Sequence, residues 1–234
     1  MERLDKILAN TGRWSRKEAR ELVRAGRVAV DGVTAQAADG KYDPAARFEV
    51  DGETVSGERL VYLILHKPAG LVSATEDPRQ PTVLELLPQH LRRVGLFPAG
   101  RLDKDTEGLL LLTNDGPLAH RLLAPRNHVD KTYFVRVDGE LDGADAAAFA
   151  AGMMLEDGLV CLPAGLEVLE QPDTALVTLH EGKYHQIKRM LAARGKPVVY
   201  LKRLTMGPLM LDPVLERGEW RPLSAEEVAA LRQA

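Results

Sequence analysis

The sequence is nearly free of cysteine, because Cys161 is the only one among its 234 residues. A lone thiol cannot close a disulfide within the chain, and it cannot build a cysteine-rich zinc site. Long apolar runs are also missing, so no stretch reaches the length of a membrane span. The residues from Met1 to Lys6 lack the apolar core of a signal peptide. The sequence therefore predicts a cytoplasmic protein.

A strong excess of charge is missing as well, because the formal net charge is only -3. This balance argues against a polycation that binds any nucleic acid indiscriminately. Basic residues are nevertheless concentrated in two segments. From Arg3 to Arg27 there are eight basic and three acidic residues, and from Lys183 to Arg203 there are seven basic residues and no acidic one. The pattern indicates localised contacts with an anionic partner.

The first basic segment has the pattern of a capped helix. Ser15 and Glu18 have the spacing of a capping box, and Ala19, Leu22 and Val23 would then face inward. The outer face carries a stripe of arginines spaced four, four and three residues apart: Arg16, Arg20, Arg24 and Arg27. Such a stripe is either a solvated face or a track for a phosphate backbone. A basic helix face is usually solvated, but the stripe lacks the interleaved glutamates of a salt-bridged surface, which is compatible with the second interpretation.

A small sheet is predicted after this helix. Val28 to Val30 leads into the two-residue turn Asp31-Gly32, and Phe48 to Val50 adds another strand. Leu4, Ile7 and Leu8 have the spacing of a short helix before the capped one. Two short helices followed by a small sheet, with arginines on the second helix, resemble the S4-like RNA-binding domain. We therefore predict an S4-like domain with its linker over residues 1–58 and a second domain over residues 59–234.

The second domain is organised around a charged loop that runs into an apolar strand. Leu109 to Leu112 is a run of four leucines, which is typical of a strand buried on both faces. A carboxylate at the edge of such a strand, such as Asp103, is held rigidly and partly withdrawn from water. The alternative is a plain surface turn rich in aspartate and glycine. Asp105 is expected to point elsewhere, as a turn-forming or capping residue.

The remaining pattern of strands, turns and inserted helices predicts an α+β fold with a mixed, mostly antiparallel sheet. Three motifs follow one another in this domain: Gly100-Arg101-Leu102-Asp103, Lys131-Thr132-Tyr133 and Glu181-Gly182-Lys183-Tyr184-His185-Gln186-Ile187-Lys188-Arg189-Met190. Together they closely resemble the pseudouridine synthases that modify ribosomal RNA. Within that family, the tyrosine, histidine and lysine of the third motif favour the group that acts on the small subunit.

The resemblance implies an enzyme that isomerises one uridine of small-subunit (16S) rRNA, the uridine at position 516, to pseudouridine. The reaction breaks a nitrogen–carbon glycosidic bond and rejoins the base through carbon, without net redox change, so no cofactor and no metal are expected. The implied partner is small-subunit rRNA or the assembling small ribosomal subunit, with no membrane, and the protein is expected to be a monomer. The alternatives are a synthase acting on a large-subunit (23S) uridine and a non-catalytic rRNA-binding assembly factor.

The same resemblance implies the roles of individual residues. Asp103 is the catalytic carboxylate, which either attacks the sugar or removes a sugar proton, and Lys188 pairs with it and keeps it ionised. Tyr133 stacks on the flipped base, and Arg101 holds the nucleotide or fills the gap that it leaves. His185, taken alone, is predicted to be structural. The predicted RNA-binding residues are Arg16, Lys17, Arg20, Arg24, Arg27, Lys183 and Arg189.

Overall fold

The computed structural model describes residues 1–11, 13–56, 60–124 and 127–234. These form two compact units, Met1–Val61 with Leu87–Phe97 and Tyr62–Leu86 with Pro98–Ala234. The predicted border between residues 58 and 59 lies outside the described residues, so the ranges 1–58 and 59–234 stay a prediction. Leu87–Phe97 groups with the first unit, although it lies within the second predicted range.

The described residues contain the helices α1 (Leu4–Asn10), α2 (Arg16–Arg24), α3 (Gln89–Arg92), α4 (Gly116–Leu123), α5 (Gly143–Ala151), α6 (Gln186–Ala193) and α7 (Ala225–Gln233). A 3-10 turn lies at Val83–Leu86. The strands before residue 60 are β1 (Glu2–Arg3), β2 (Val28–Val30), β3 (Val33–Thr34), β4 (Lys41–Tyr42), β5 (Arg47–Val50) and β6 (Glu53–Ser56). The later strands are β7 (Tyr62–Lys67), β8 (Phe97–Pro98), β9 (Glu107–Thr113), β10 (Lys131–Val137), β11 (Met153–Met154), β12 (Val160–Cys161), β13 (Gly165–Val168), β14 (Thr174–Leu179), β15 (Val198–Met206), β16 (Leu209–Met210) and β17 (Trp220–Pro222). None of the helices in the described ranges is long and apolar enough to cross a membrane.

Helix α2 and a four-stranded sheet carry the core of the first unit. The predicted capping box is present, because the Ser15 hydroxyl accepts from the Glu18 N–H at 3.2 Å and the Glu18 carboxylate accepts from the Ser15 N–H at 2.5 Å. The inward face of α2 is buried as its spacing predicts. The sheet has the order β3-β2-β5-β6, and the turn between β2 and β3 has positive φ angles at Asp31 and Gly32, as a two-residue hairpin requires.

A large twisted sheet forms the centre of the second unit. Its strand order is β13-β14-β10-β15-β9-β7-β17. Neighbouring strands along this path are antiparallel, except that β9 and β15 are parallel. The prediction of an α+β fold with a mixed, mostly antiparallel sheet is therefore confirmed.

Strand β9 is the buried strand on which the charged loop ends. Leu109 to Leu112 have no exposed surface, as the run of leucines predicts. At the start of β9, Gly108 pairs with Arg203 of β15, and Arg203 in turn pairs with Tyr133 of β10 on its other side. The charged loop therefore ends on a strand that only β15 separates from the strand that carries Tyr133.

Candidate active site

Hydrogen bonds to backbone atoms fix the loop that carries Asp103. The Thr106 N–H donates to the Asp103 carbonyl at 3.1 Å, which closes a turn. The Ser73 hydroxyl donates to the Leu102 carbonyl at 2.9 Å and accepts from the Leu102 N–H at 3.1 Å. The backbone at Asp103 is therefore held on both sides.

Lys188 reaches this carboxylate from the first turn of α6. Its ammonium group lies 2.9 Å from Asp103 Oδ2 and 2.5 Å from Asp105 Oδ1. Burial lowers the pKa of Lys188, but the bonds to Asp105 and Asp103 raise it by more, so the pKa lies above its ordinary value. Lys188 is therefore a cation at neutral pH, and it favours the ionised form of Asp105.

Asp105 lies in a turn, as the sequence predicts, but its side chain contacts Lys188, so the expectation that it points elsewhere is wrong. The turn between Asp103 and Thr106 curves the loop, so both carboxylates meet Lys188. Burial opposes the ionisation of Asp105, but the bond from Lys188 outweighs it, and the pKa of Asp105 lies below its ordinary value. The two aspartates differ in exposure, since the Asp103 side chain is 27% exposed and the Asp105 side chain 74%.

A small open pocket lies at Asp103. Arg101, Tyr133 and Lys188 line it together with Asp103, whereas Asp105 does not. Tyr133 is nearly buried on β10, between β14 and β15. Apolar side chains complete the wall: Leu179, Ile187 and Leu201. The structure thus brings together all four residues that the sequence assigns to the reaction and its substrate base.

His185 also belongs to this pocket, which the sequence interpretation missed. Its Nε2 atom lies 3.5 Å from Asp103 Oδ1. Its backbone is left-handed, with φ 50° and ψ 34°, at the residue before α6. The ring of His185 stacks on that of Tyr184, with the centroids 3.9 Å apart and the planes inclined by 18°. The motif was visible in the sequence, but the contact with Asp103 depends on a backbone conformation that the motif does not predict.

In the part of the chain that the structure describes, no group of three or more His, Cys, Asp or Glu side chains could hold a metal ion.

Comparison with known proteins decides the family. A family profile described as RNA pseudouridylate synthase matches residues 61–193, which is more than half of the chain. This chain belongs to that family. The pseudouridine synthase is an isomerase, and its N-terminal residues 2–39 match the S4 domain, as the sequence predicts.

Similar proteins resemble this synthase along nearly its whole length. The uncharacterized RNA pseudouridine synthase YtzG of Bacillus subtilis (strain 168) is 48% identical, over 99% of this chain and 98% of that protein. The ribosomal small subunit pseudouridine synthase A of Pseudomonas aeruginosa is 44% identical, over 98% and 100%. A crystal structure described as that of a pseudouridylate synthase is 35% identical, with a TM-score of 0.71, and covers 99% of this chain and 100% of that one.

Lys67 binds the loop that carries Asp103. It has no exposed surface, and its ammonium group donates to the carbonyls of Pro68 at 3.0 Å, Lys104 at 3.2 Å and Thr106 at 2.9 Å. Burial lowers the pKa of Lys67 to about 8, although the nearby carboxylates act in the opposite direction. The two loop carbonyls flank Asp105, so this single cation holds the loop on which Asp103 and Asp105 lie.

Replacing Lys67 by methionine is expected to destabilise the synthase by about 2–4 kcal/mol at pH 7, because buried carbonyls lose a charged donor. The destabilisation should depend on pH. The folded pKa of about 8 lies below the ordinary 10.5, so between these values the unfolded wild-type chain binds more protons than the folded one. Urea unfolding should show the stability gap between wild type and Lys67→Met widening as the pH rises through this window. A stability difference that narrows as the pH rises would contradict the lowered pKa of Lys67.

Two arginines of the stripe in the S4 domain are held by a buried acid. Asp5 has no exposed surface and binds Arg16 at 3.0 Å, Arg20 at 2.9 Å and Arg3 at 3.1 Å. Burial raises the pKa of Asp5, but the bonds from the three arginines lower it by more, to well below its usual range. The partner of the stripe thus comes from α1 and not from α2, which is why helical spacing within α2 did not reveal it.

The other predicted RNA-binding residues fall into two groups. Three pair with carboxylates: Arg27 with Asp51 at 2.5 Å, Lys183 with Glu181 at 2.9 Å and Arg189 with Asp157 at 2.5 Å. Lys17 and Arg24 form no ion pair with any of the residues that the structure describes. Arg24 is therefore the member of the stripe whose charge is least compensated.

Proposed function

We propose that this synthase isomerises one uridine of small-subunit (16S) rRNA to pseudouridine, with Asp103 as the catalytic carboxylate. The observation that carries the proposal is the contact of Asp103 with Lys188 at 2.9 Å in a pocket that Tyr133 also lines. The relatives support the choice of substrate. Proteins named ribosomal small subunit pseudouridine synthase A, from Pseudomonas aeruginosa and Escherichia coli (strain K12), align with 98% of this chain at 44% and 42% identity.

The chemistry needs an ionised carboxylate and no external reactant. The bond between uracil N1 and the sugar C1′ breaks, and a bond between C5 and C1′ forms. C5 loses its proton, and N1 gains one, so the atoms balance within the nucleotide and water. Asp103 either attacks C1′ or removes a sugar proton, and both routes require the anion that Lys188 stabilises.

Tyr133 and Arg101 are proposed to hold the flipped nucleotide. A uridine must leave its stack before its sugar can reach Asp103, which costs a few kcal/mol. The Tyr133 ring offers a new stacking surface that offsets part of this cost. Arg101 is an exposed cation in the pocket lining, and its proposed role is to hold the flipped nucleotide or to fill the gap that it leaves.

The S4 domain is proposed to contribute binding through phosphate contacts. Arg24→Ala should weaken binding to the rRNA substrate and reduce the slope of log affinity against log salt by about 1, with kcat unchanged. Arg47→Ala is the matched control, because Arg47 is also an exposed arginine of the first unit but pairs with Glu49 at 2.7 Å. Equal salt slopes for wild type and Arg24→Ala would contradict the phosphate contact.

The test of the proposal is a map of pseudouridine in rRNA from cells with and without the gene. Loss of one pseudouridine from 16S rRNA, restored by the wild-type gene, is the expected result. Loss of a pseudouridine from 23S rRNA instead would favour a large-subunit substrate. An unchanged map of both rRNAs would contradict an rRNA substrate altogether, and would leave only a role as a binding or assembly factor on the ribosome. The cytoplasmic location and the monomeric state stay predictions.

A further inference from the structure

Tyr184 exposes an aromatic ring at the rim of the active site. It is 74% exposed, and it is the one aromatic residue among the exposed large apolar side chains of the described chain. Its neighbours Lys183 and His185 both line the pocket. The His185 ring stacks on one face of the Tyr184 ring, with the centroids 3.9 Å apart. Because Tyr184 is still largely exposed, most of the rest of its ring surface faces solvent.

An unfavourable backbone conformation at His185 holds the Tyr184 ring in place. His185 has a left-handed conformation, which is unfavourable for a residue with a side chain and is often found at functional sites. This conformation lets the two rings stack while His185 Nε2 stays 3.5 Å from Asp103. The Tyr184 ring is therefore fixed relative to the catalytic carboxylate by a single intervening side chain.

The surroundings of Tyr184 favour stacking over a phosphate contact. Lys183, the nearest cation in sequence, pairs with Glu181 at 2.9 Å and donates to the carbonyl of Val160. Its charge is thus largely compensated within the protein. An exposed ring beside a compensated charge attracts the face of a base more than it attracts a phosphate.

We propose that Tyr184 is a stacking platform for the nucleotide next to the target uridine. This inference rests on the proposed function, because it assumes that a uridine of rRNA is flipped into the pocket. When that uridine leaves its stack, the base beside it loses a stacking partner on one side. The exposed face of Tyr184 replaces that partner, while the other face keeps the His185 ring in position.

The test compares full-length wild type with Tyr184→Leu, Tyr184→Phe and Met210→Ala. Met210 is a control of similar exposure, 70%, on β16. The substrates are fragments of 16S rRNA that the wild type modifies, with 2-aminopurine placed on one side or the other of the target uridine. Tyr184→Leu should raise KM roughly tenfold with kcat within about twofold, because stacking on an aromatic ring contributes to binding of the base. Tyr184→Phe and Met210→Ala should behave as wild type.

Fluorescence reports the stacking directly. For at least one of the two flanking positions, 2-aminopurine bound to wild type should be dimmer than when it is bound to Tyr184→Leu. Equal fluorescence at both positions, or equal KM for the two proteins, would overturn the inference. A fall in kcat at unchanged KM would also overturn it, because Tyr184 would then act only through His185. Failure of the proposed function looks different, since the wild type itself would then form no pseudouridine in 16S rRNA.

Discussion

Asp103→Asn is expected to lower the rate of pseudouridine formation by roughly 10⁴-fold or more. A loss of this size is usual when the central catalytic group of an enzyme is removed. Asparagine keeps the shape of aspartate but is neither a nucleophile nor a base. The fold should survive, because Lys188 keeps Asp105 as a counter-ion at 2.5 Å. RNA binding should also persist, because the S4 domain is untouched. Release of tritium from C5-labelled uridine in the RNA measures the activity, and circular dichroism and a binding assay check the rest.

Asp105→Asn is the matched control, because both aspartates bind the same lysine. It leaves the contact between Asp103 and Lys188 at 2.9 Å intact, and it changes a side chain that is 74% exposed and outside the pocket. Its activity should fall by less than about tenfold, as a partly solvated charge contributes little to the neighbouring site. Full activity in Asp103→Asn would contradict the assignment. An active Asp103→Asn beside an inactive Asp105→Asn would exchange the two roles.

Local patterns were sufficient to predict the buried strand after the Asp103 loop and the capped helix of the S4 domain. Leu109 to Leu112 form a buried strand because all four side chains are apolar, and such a run satisfies both faces of a central strand. Ser15 and Glu18 cap α2 because the two groups lie three residues apart, within reach of each other's N–H. In both cases the physical cause lies within a few residues of sequence, so it can be recognised in one sequence alone.

Contacts between distant segments could not be obtained in the same way. Lys188 binds Asp105 across 83 residues, Lys67 binds the Thr106 carbonyl across 39 and Arg20 binds Asp5 across 15. Each pairing depends on the sheet topology or on a turn that was not predicted. Asp105 forms a turn as predicted, but its contact with Lys188 depends on a distant helix. The arginine stripe looked unpaired within α2 because the partner of Arg16 and Arg20 lies on α1.

The parallel contact between β9 and β15 has the same long-range origin, and it leads to the second large expected effect. Gly108→Ala should destabilise the synthase by about 3–5 kcal/mol, since a left-handed backbone and an overlap with main-chain atoms add together. Gly108 has φ +105°, and a Cβ atom there would lie 2.2 Å from the Arg203 carbonyl oxygen and 2.6 Å from its nitrogen. Main-chain atoms of a central strand cannot move aside without breaking the pairing of β15.

Activity should fall with stability, and by more than about 100-fold even where the variant is folded, because a misplacement of about 1 Å can have an effect of this size. Gly108 pairs with Arg203, and Arg203 pairs with Tyr133. This contact therefore sets the position of the Asp103 loop relative to the Tyr133 ring. Gly218→Ala is the control, because Gly218 has φ +91° but open space where its Cβ would lie. Gly218→Ala should be destabilised less than Gly108→Ala, because only the unfavourable backbone conformation acts against it. If urea unfolding and tritium release gave the same values for both variants, the close approach of β9 and β15 would not be what positions Asp103 beside Tyr133.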